Sequence, residues 1–169
     1  MKSVPYLAAV GALMYLATST RLDIAYTVGC LARFNSNPGV AHWNAVKHLL
    51  HYLKGTADNS ITYAPDPLSS ELFSTYSDAD HGGCKDTGHS TGGYLVKIGT
   101  GAVSWSLKLQ STVALCTTEA ENIAAISAGK EIRWMRNLLY EMGFTAPDPS
   151  MLRVSTKNDL SFFVFFCFF

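Results

Sequence analysis

The chain has 169 residues, 48% of them hydrophobic and 15% charged, with thirteen basic and thirteen acidic side chains. That length allows one domain or two small ones around a real core, and that composition excludes an intrinsically disordered chain. Balanced charge excludes tight, unaided nucleic-acid binding, although the charge is unevenly spread: residues 1–64 hold five bases against two acids, and residues 65–169 hold eight against eleven.

The N-terminal stretch, Lys2 followed by the apolar run Val4 to Ala17, imitates a secretory signal. The run is too short for a stable bilayer anchor, so no membrane partner is expected. It also carries a helical stripe of Tyr6, Val10, Leu13, Met14 and Ala17, which predicts a core-facing helix over about 5–18. A second helix is expected from Asp23, capped by Thr20, to Phe34, where Asn35-Ser36-Asn37-Pro38-Gly39 breaks it. A third runs from Val40 to Lys54, with Trp43, Val46, Leu50 and Leu53 as its apolar stripe. A short strand, Ser60 to Tyr63, is expected next, and residues 65–70 read as a linker.

From residue 71 the pattern changes period. Leu72–Asp78 and Ser90–Ile98 read as strands, separated by the Gly82-Gly83 and Asp86-Thr87-Gly88 turns. Gly101–Gln110 alternates Val103, Trp105, Leu107 and Leu109 with Ser104, Ser106, Lys108 and Gln110, which predicts one buried face and one wet face. A long helix is expected over Thr118–Met142, ended by Gly143, and a fourth strand over Met151–Thr156. Three strands, a helix and a strand imply an α/β layout with a mixed sheet.

Asp78 and Asp80 close the first of these strands, and Glu119 and Glu121 open the long helix. Glu121, Ala125, Ala128, Ile132, Met135, Leu139 and Met142 share one face, so Glu121 is expected to look toward the sheet. Converging carboxylates hold divalent cations. A plainer alternative is equally concrete: Thr118-x-x-Glu121 is a capping-box pattern, and aspartates before Gly82-Gly83 commonly bond turn amides. His48 and His51 are three apart on a helix but lack a third ligand, so surface histidines are the default. Lys47, His51 and Lys54 form a polar stripe that could grip a phosphate backbone or simply be solvated. Cys30, Cys84, Cys116 and Cys167 show no paired spacing and read as reduced thiols of an intracellular protein. Cys116 has no base beside it and no evident catalytic partner.

Several linked motifs go further. Leu13-Met14-Tyr15-Leu16, Thr20-Arg21-Leu22-Asp23-Ile24-Ala25-Tyr26, His42-Trp43 and Tyr52-Leu53-Lys54-Gly55-Thr56 resemble the thumb and connecting region of copia-type retrotransposon reverse transcriptases. Tyr76-Ser77-Asp78-Ala79-Asp80, Ser90-Thr91-Gly92-Gly93-Tyr94, Ala102-Val103-Ser104-Trp105-Ser106, Lys108-Leu109-Gln110 and Thr117-Thr118-Glu119-Ala120-Glu121 resemble the ribonuclease H domain that follows in the same Pol polyprotein. The resemblance implies a helical thumb remnant over 1–64 and an incomplete ribonuclease H-like domain over 71–169. It implies Asp78 and Glu121 as catalytic and metal-holding residues, with Mg²⁺ or Mn²⁺ as cofactor. The implied substrate is an RNA–DNA hybrid, and the remainder of the polyprotein is a partner.

The chain also departs from that family. Its third aspartate belongs in an Asp-Asn pair after the last strand, where this sequence has Ser155-Thr156; Asp159 is displaced by several residues. Two carboxylates give few fixed oxygens for two hard cations, so the expectation is an inactive chain. The polymerase palm and its aspartates are not in the sequence, so no primer extension is expected. A non-catalytic nucleic-acid binding module and a poorly folded remnant are the rival expectations. The tail Phe162-Phe163-Val164-Phe165-Phe166-Cys167-Phe168-Phe169 resembles nothing in the family and reads as out-of-frame or intron-derived sequence, an aggregation hazard if exposed.

Overall fold

A computed structural model describes residues 4–66, 71–144, 150 and 152–154. These residues form two compact units, one ending at Ile61 and the other beginning at Thr62. The first is helical: α1 (Tyr6–Ser19), a 3₁₀ turn (Leu22–Ile24), α2 (Ala25–Ala32) and α3 (Val40–Gly55). The second contains β1 (Ser74–Ala79), β2 (Thr91–Ile98), β3 (Gly101–Leu109), α4 (Thr117–Glu141) and β4 (Leu152–Val154).

In the helical unit the spacing of apolar residues decides what is buried. Tyr6, Val10, Leu13 and Ala17 of α1 pack with Ile24, Val28, Leu31, Val46 and Leu49 in one cluster. The buried hydroxyl of Tyr6 donates to the Leu31 carbonyl at 2.8 Å, so its polar end is satisfied. Two members of the expected stripes stay outside: Met14 is exposed, and on α3 it is Leu49 that is buried while Leu50 faces out. At about 100° per residue Leu49 and Leu50 fall on opposite sides of the Val46 line, about 60° and 40° away, so spacing alone does not choose between them; the cluster with α1 and α2 takes the Leu49 side. The second helix starts later than its sequence suggests. Residues 22–24 form the 3₁₀ turn, Thr20 closes α1 instead of capping α2, and the segment after Ala32 turns irregularly.

A polar clamp ties the unit's ends. Arg21 donates from Nε and Nη2 to both Asp23 oxygens at 3.0 and 2.8 Å, and from Nη1 to the Thr56 carbonyl at 3.0 Å. Tyr52 adds its hydroxyl to Asp23 at 2.9 Å. At the start of α3, Nδ1 of His42 accepts the Gly39 N–H at 2.9 Å, and its ring stacks on Phe34 with centroids 3.8 Å apart.

The second unit is a four-stranded mixed sheet in the order β3-β2-β1-β4, antiparallel except for the parallel β1–β4 pair. The expected strand over 60–63 is not present. Instead the Thr62 carbonyl and the Ala64 N–H bond the Thr100 hydroxyl, and Tyr63 donates to the Ala102 carbonyl at 2.8 Å. Helix α4 packs on β1 and β2. It ends in a Schellman arrangement, with Gly143 at φ 87° and the Phe144 N–H reaching the Leu139 carbonyl at 2.8 Å.

The face of β3 that α4 covers is the opposite of the apolar one. Thr75 and Ser77 of β1 are 0% and 3% exposed and pair with Val96 and Tyr94, which in turn pair with Ser104 and Ser106. Val96 and Phe73 cluster with Met135 and Leu139 of α4, so this row lies beneath the helix. The hydroxyl of Ser104 donates to Glu131 of α4 at 2.6 Å. Trp105, Leu107 and Leu109 lie on the other face and are half-buried, whereas Val103, at the register shift between β2 and β3, packs against the helix cluster. The physical reason lies in the helix, whose buried residues near its start are Ala120, Ala124 and Ala128. Such a small-residue surface comes close to a sheet of small, polar side chains. Met142, which the helical spacing adds to this stripe, is exposed beyond the last turn. The Phe-rich tail and the other residues after Val154 lie outside the described residues.

Candidate active site

Strand β1 carries Asp78 as its penultimate residue, paired with Gly93 of β2. Strand alternation sets Asp78 on the row opposite Ser77, at the end of the sheet. Helix α4 brings Glu121 on its second turn, half-buried like Asp78. The charges interact. Burial pushes the Asp78 carboxyl above the usual carboxylate range, the Ala79 N–H bonded to it pulls it down, and the negative charges of Glu121 and then Asp80 push it up again.

Glu121 lies past the capping positions of the helix. The N-cap is Cys116, and the Glu119 carboxylate reaches back to accept the Leu115 N–H at 2.6 Å. The capping box suggested by Thr118 and Glu121 does not form, since both lie inside the helix. Glu119, on the more mixed face in sequence, is the acid that reaches back beyond the N-cap.

Asp80 is taken up by the turn that follows β1. Its Oδ1 accepts the Thr91 N–H, and its own N–H donates to the Thr91 carbonyl at 3.1 Å. The loop is pinned further by Gly82 N–H to the buried Ser90 hydroxyl at 3.1 Å, and by Cys84 N–H to the His89 carbonyl at 3.1 Å. Asp80 therefore has one carboxylate oxygen held by the turn, as its position suggests, and its charge pushes the Asp78 carboxyl up.

Gln110, immediately after β3, belongs by alternation to the face expected to be wet. It is 8% exposed, and its side-chain amide donates to the Ala120 carbonyl in the first turn of α4 at 2.9 Å. The signal that would have found it is its phase: it shares a row with Ser104 and Ser106, the row beneath α4.

The oxygen chemistry of Asp78 and Glu121 suits a hard divalent cation, but the number of donors does not. Among the described residues no group of three His, Cys, Asp or Glu side chains is arranged to hold a metal ion. Residues 155–159, where the resemblance calls for a further acid, lie outside the described residues.

The other sequence candidates belong to the helical unit. Lys47, His51 and Lys54 are all exposed on α3 at spacings of four and three, one outward stripe. His48 is exposed on the same helix and is not brought to a metal-binding group. Cys30, Cys84 and Cys116 are reduced thiols, Cys84 buried and Cys116 exposed. Among the described residues no helix is long and apolar enough to cross a membrane.

Comparison with known proteins gives a consistent family. The chain is 48% identical over 143 residues to the retrovirus-related Pol polyprotein from transposon TNT 1-94 of Nicotiana tabacum, covering 85% of this chain and 10% of that protein. It is 39% identical over 147 residues to the retrovirus-related Pol polyprotein from transposon RE2 of Arabidopsis thaliana, covering 87% of this chain and 10% of that protein. It is also 44% identical over 135 residues to the secreted RxLR effector protein 161 of Plasmopara viticola, covering 80% of the chain and 94% of the relative. The chain thus spans about a tenth of the length of the two Pol polyproteins. No family model matches the sequence, and no solved structure matches it.

Proposed function

The chain belongs to the family of copia-type, retrovirus-related Pol polyproteins from transposons, and on that premise we propose that it pairs a reverse-transcriptase thumb and connection segment with a ribonuclease H-like domain. The observation that carries this reading is the Asp78–Glu121 pair. A strand-end aspartate and a helix glutamate, separated by 43 positions in sequence, are both half-buried, and the Glu121 charge adds to burial in pushing the Asp78 carboxyl up. The ancestral reaction on this reading is hydrolysis of the RNA strand of an RNA–DNA hybrid, with the pair holding Mg²⁺ or Mn²⁺. That cation would activate water and stabilise the leaving oxygen.

The chain itself is proposed to be silent in that reaction. The sequence has Ser155-Thr156 where the resemblance calls for an acidic residue. Two carboxylates, one of them held toward its neutral form by burial, are a weak seat for a doubly charged ion. The test is incubation of the purified full chain with a labelled hybrid in Mg²⁺ and in Mn²⁺. No cleavage above a Glu121→Gln control is expected; cleavage at ordinary enzyme rates, on the order of 1 s⁻¹ or faster, would overturn the proposal of silence.

A second reading is favoured by one observation in the helical unit. Lys47, His51 and Lys54 stand exposed in one line, as a phosphate-tracking face would. This predicts hybrid or duplex binding that weakens steeply with salt, and a gel shift insensitive to salt, or absent, would remove it.

A further inference from the structure

We infer that Gln110 is a positioning residue: its amide, donated from the end of β3 to the Ala120 carbonyl, sets where Glu121 stands relative to Asp78. The inference rests on the reading of Asp78 and Glu121 as a working pair, and it goes beyond that reading by assigning what holds the pair in register.

The bond is 2.9 Å long and buried. Ala120 precedes Glu121 directly, so fixing the Ala120 carbonyl fixes the turn from which Glu121 projects. The atom facing that carbonyl must be a donor, which sets the orientation of the amide: Nε2 toward Ala120, Oε1 away. Oε1 is then buried with no hydrogen-bond partner among the described residues. A side chain kept for packing alone would not retain a half-unpaired amide at a buried position. The bond to α4 accounts for its presence.

The main chain of Gln110 is itself immobilised from both sides. Its N–H donates to the Ser90 carbonyl at 2.8 Å, and its carbonyl lies 2.7 Å from Nδ1 of His89. Thr91, the next residue of that segment, is bonded twice by Asp80, two positions from Asp78. A continuous run of hydrogen bonds therefore links the end of β1 to the start of α4, through residues 80, 91, 90, 110 and 120.

The helix needs such a tether. Its buried contacts at this end are Ala120 and Ala124, whose short side chains resist rotation and sliding weakly. Gly92 makes the room: a Cβ there would stand 3.1 Å from Gln110 Nε2 and 3.4 Å from the Ala124 Cβ. Any side chain at 92 would press the amide against the helix.

The test is a mutant cycle read on the ¹³C resonance of the Asp78 carboxyl in the full chain. Glu121→Gln is expected to move that resonance. In a Gln110→Met background, which keeps the volume and removes the donor, the same substitution is expected to move it at least two-fold less. Gly92→Ala, which crowds the amide while leaving Gln110 itself in place, is expected to reduce the response in the same direction, so the conclusion does not hang on one variant. Amide hydrogen exchange supplies the second readout. In Gln110→Met the amides of residues 121–124 exchange at least ten-fold faster while those of 132–139 keep their protection; a general loss of stability would speed both. If Asp78 responds to Glu121→Gln equally in all backgrounds, Gln110 has no positioning role and the inference fails with the pair intact. If Asp78 does not respond to Glu121→Gln in the wild-type background, the pair itself is wrong and the inference falls with it.

Discussion

The two units solve their polar problems in opposite ways. In the helical unit the part-buried charges close on one another: Arg21 directs its fork at Asp23 and Thr56, and the Tyr52 hydroxyl gives Asp23 a third donor. The nine-residue apolar cluster around them is large for some sixty residues. Among the described residues of the sheet unit the apolar cluster has four buried members, the other buried apolar residues are small (Cys84 and alanines), and much of the row beneath α4 is polar. Thr75 Oγ1, Ser77 Oγ and Gln110 Oε1 are buried there without hydrogen-bond partners among the described residues, and Asp78 is half-buried with two like charges acting on it. The helical unit has one such atom, Asn35 Oδ1. The contrast teaches that the polar groups of the first unit add to its stability while several of those in the second oppose it.

The largest expected effect tests how thin the sheet unit's core is. Phe73 is 5% exposed and is the one aromatic side chain among that cluster's four buried residues. Phe73→Ala should cost about 4 kcal/mol. Thermal or denaturant unfolding followed by hydrogen exchange should show β1, β2 and α4 losing protection while α1 and α3 keep theirs. Equal loss in both sets of helices would mean that the units unfold as one.

A somewhat smaller effect is expected on the other side of the comparison. Burial pushes the Asp23 carboxyl up, but the Arg21 hydrogen bonds, the Tyr52 hydroxyl and the Arg21 charge hold it below the usual carboxylate range. Removing one partner leaves a desolvated guanidinium, so Asp23→Ala should cost about 3 kcal/mol. The pH dependence has a definite sign. A depressed folded-state value gives stability that is present above the unfolded-state value, about pH 3.9, and is lost as pH falls through the folded one. Wild type should therefore lose helical-unit stability in acid, and Asp23→Ala should show a flatter curve below about pH 4. An unchanged acid limb in the variant would mean that the clamp is not what acid breaks.

These differences also explain what could be seen from sequence. Helices α1, α3 and α4 were legible to within a residue or two because their apolar residues recur at helical spacing and Gly39, Gly55 and Gly143 punctuate them. Strands β1 to β3 and their order along the chain were legible from period two and from the glycine turns. Which face of β3 meets the helix was not, because hydrophobicity names the apolar face and the partner here is an alanine surface on a polar row. That one inversion hid Gln110 and the Ser104–Glu131 bond. The helical stripe set Glu121 toward the sheet, but the fully buried line at that end of α4 runs through Ala120 and Ala124 and leaves Glu121 half-buried. That Glu121 stands outside a capping box was not legible, since the box needs a helix start at Thr118 and α4 starts at Thr117. The Thr20 cap failed for a similar reason: the bidentate Arg21–Asp23 pair and its 3₁₀ turn compete with a helix start, and no local pattern announces a contact made to Thr56.

The smallest effect is the most direct probe of the contrast, because it should have the opposite sign. A carboxyl whose folded-state value is raised is one the folded chain would rather keep protonated. The unfolded chain releases that proton first, so stability falls as pH rises from about 3.9 through the folded value and is flat above it. At neutral pH Asp78 therefore works against folding, and Asp78→Asn should stabilise the sheet unit. The site is only half buried and water screens it, so the gain should not exceed about 1 kcal/mol. Glu121→Gln removes one of the two repelling charges and should recover part of the same gain. The measurement is the unfolding midpoint of each variant at pH 7 and at pH 3, where protonation should erase the difference from wild type. Asp23→Ala and Asp78→Asn are then a matched pair, an acid whose loss weakens the chain and an acid whose loss strengthens it. If Asp78→Asn destabilises at pH 7, the strand-end carboxylate is a structural anchor like Asp23, and the division between a stabilised helical unit and a strained site dissolves.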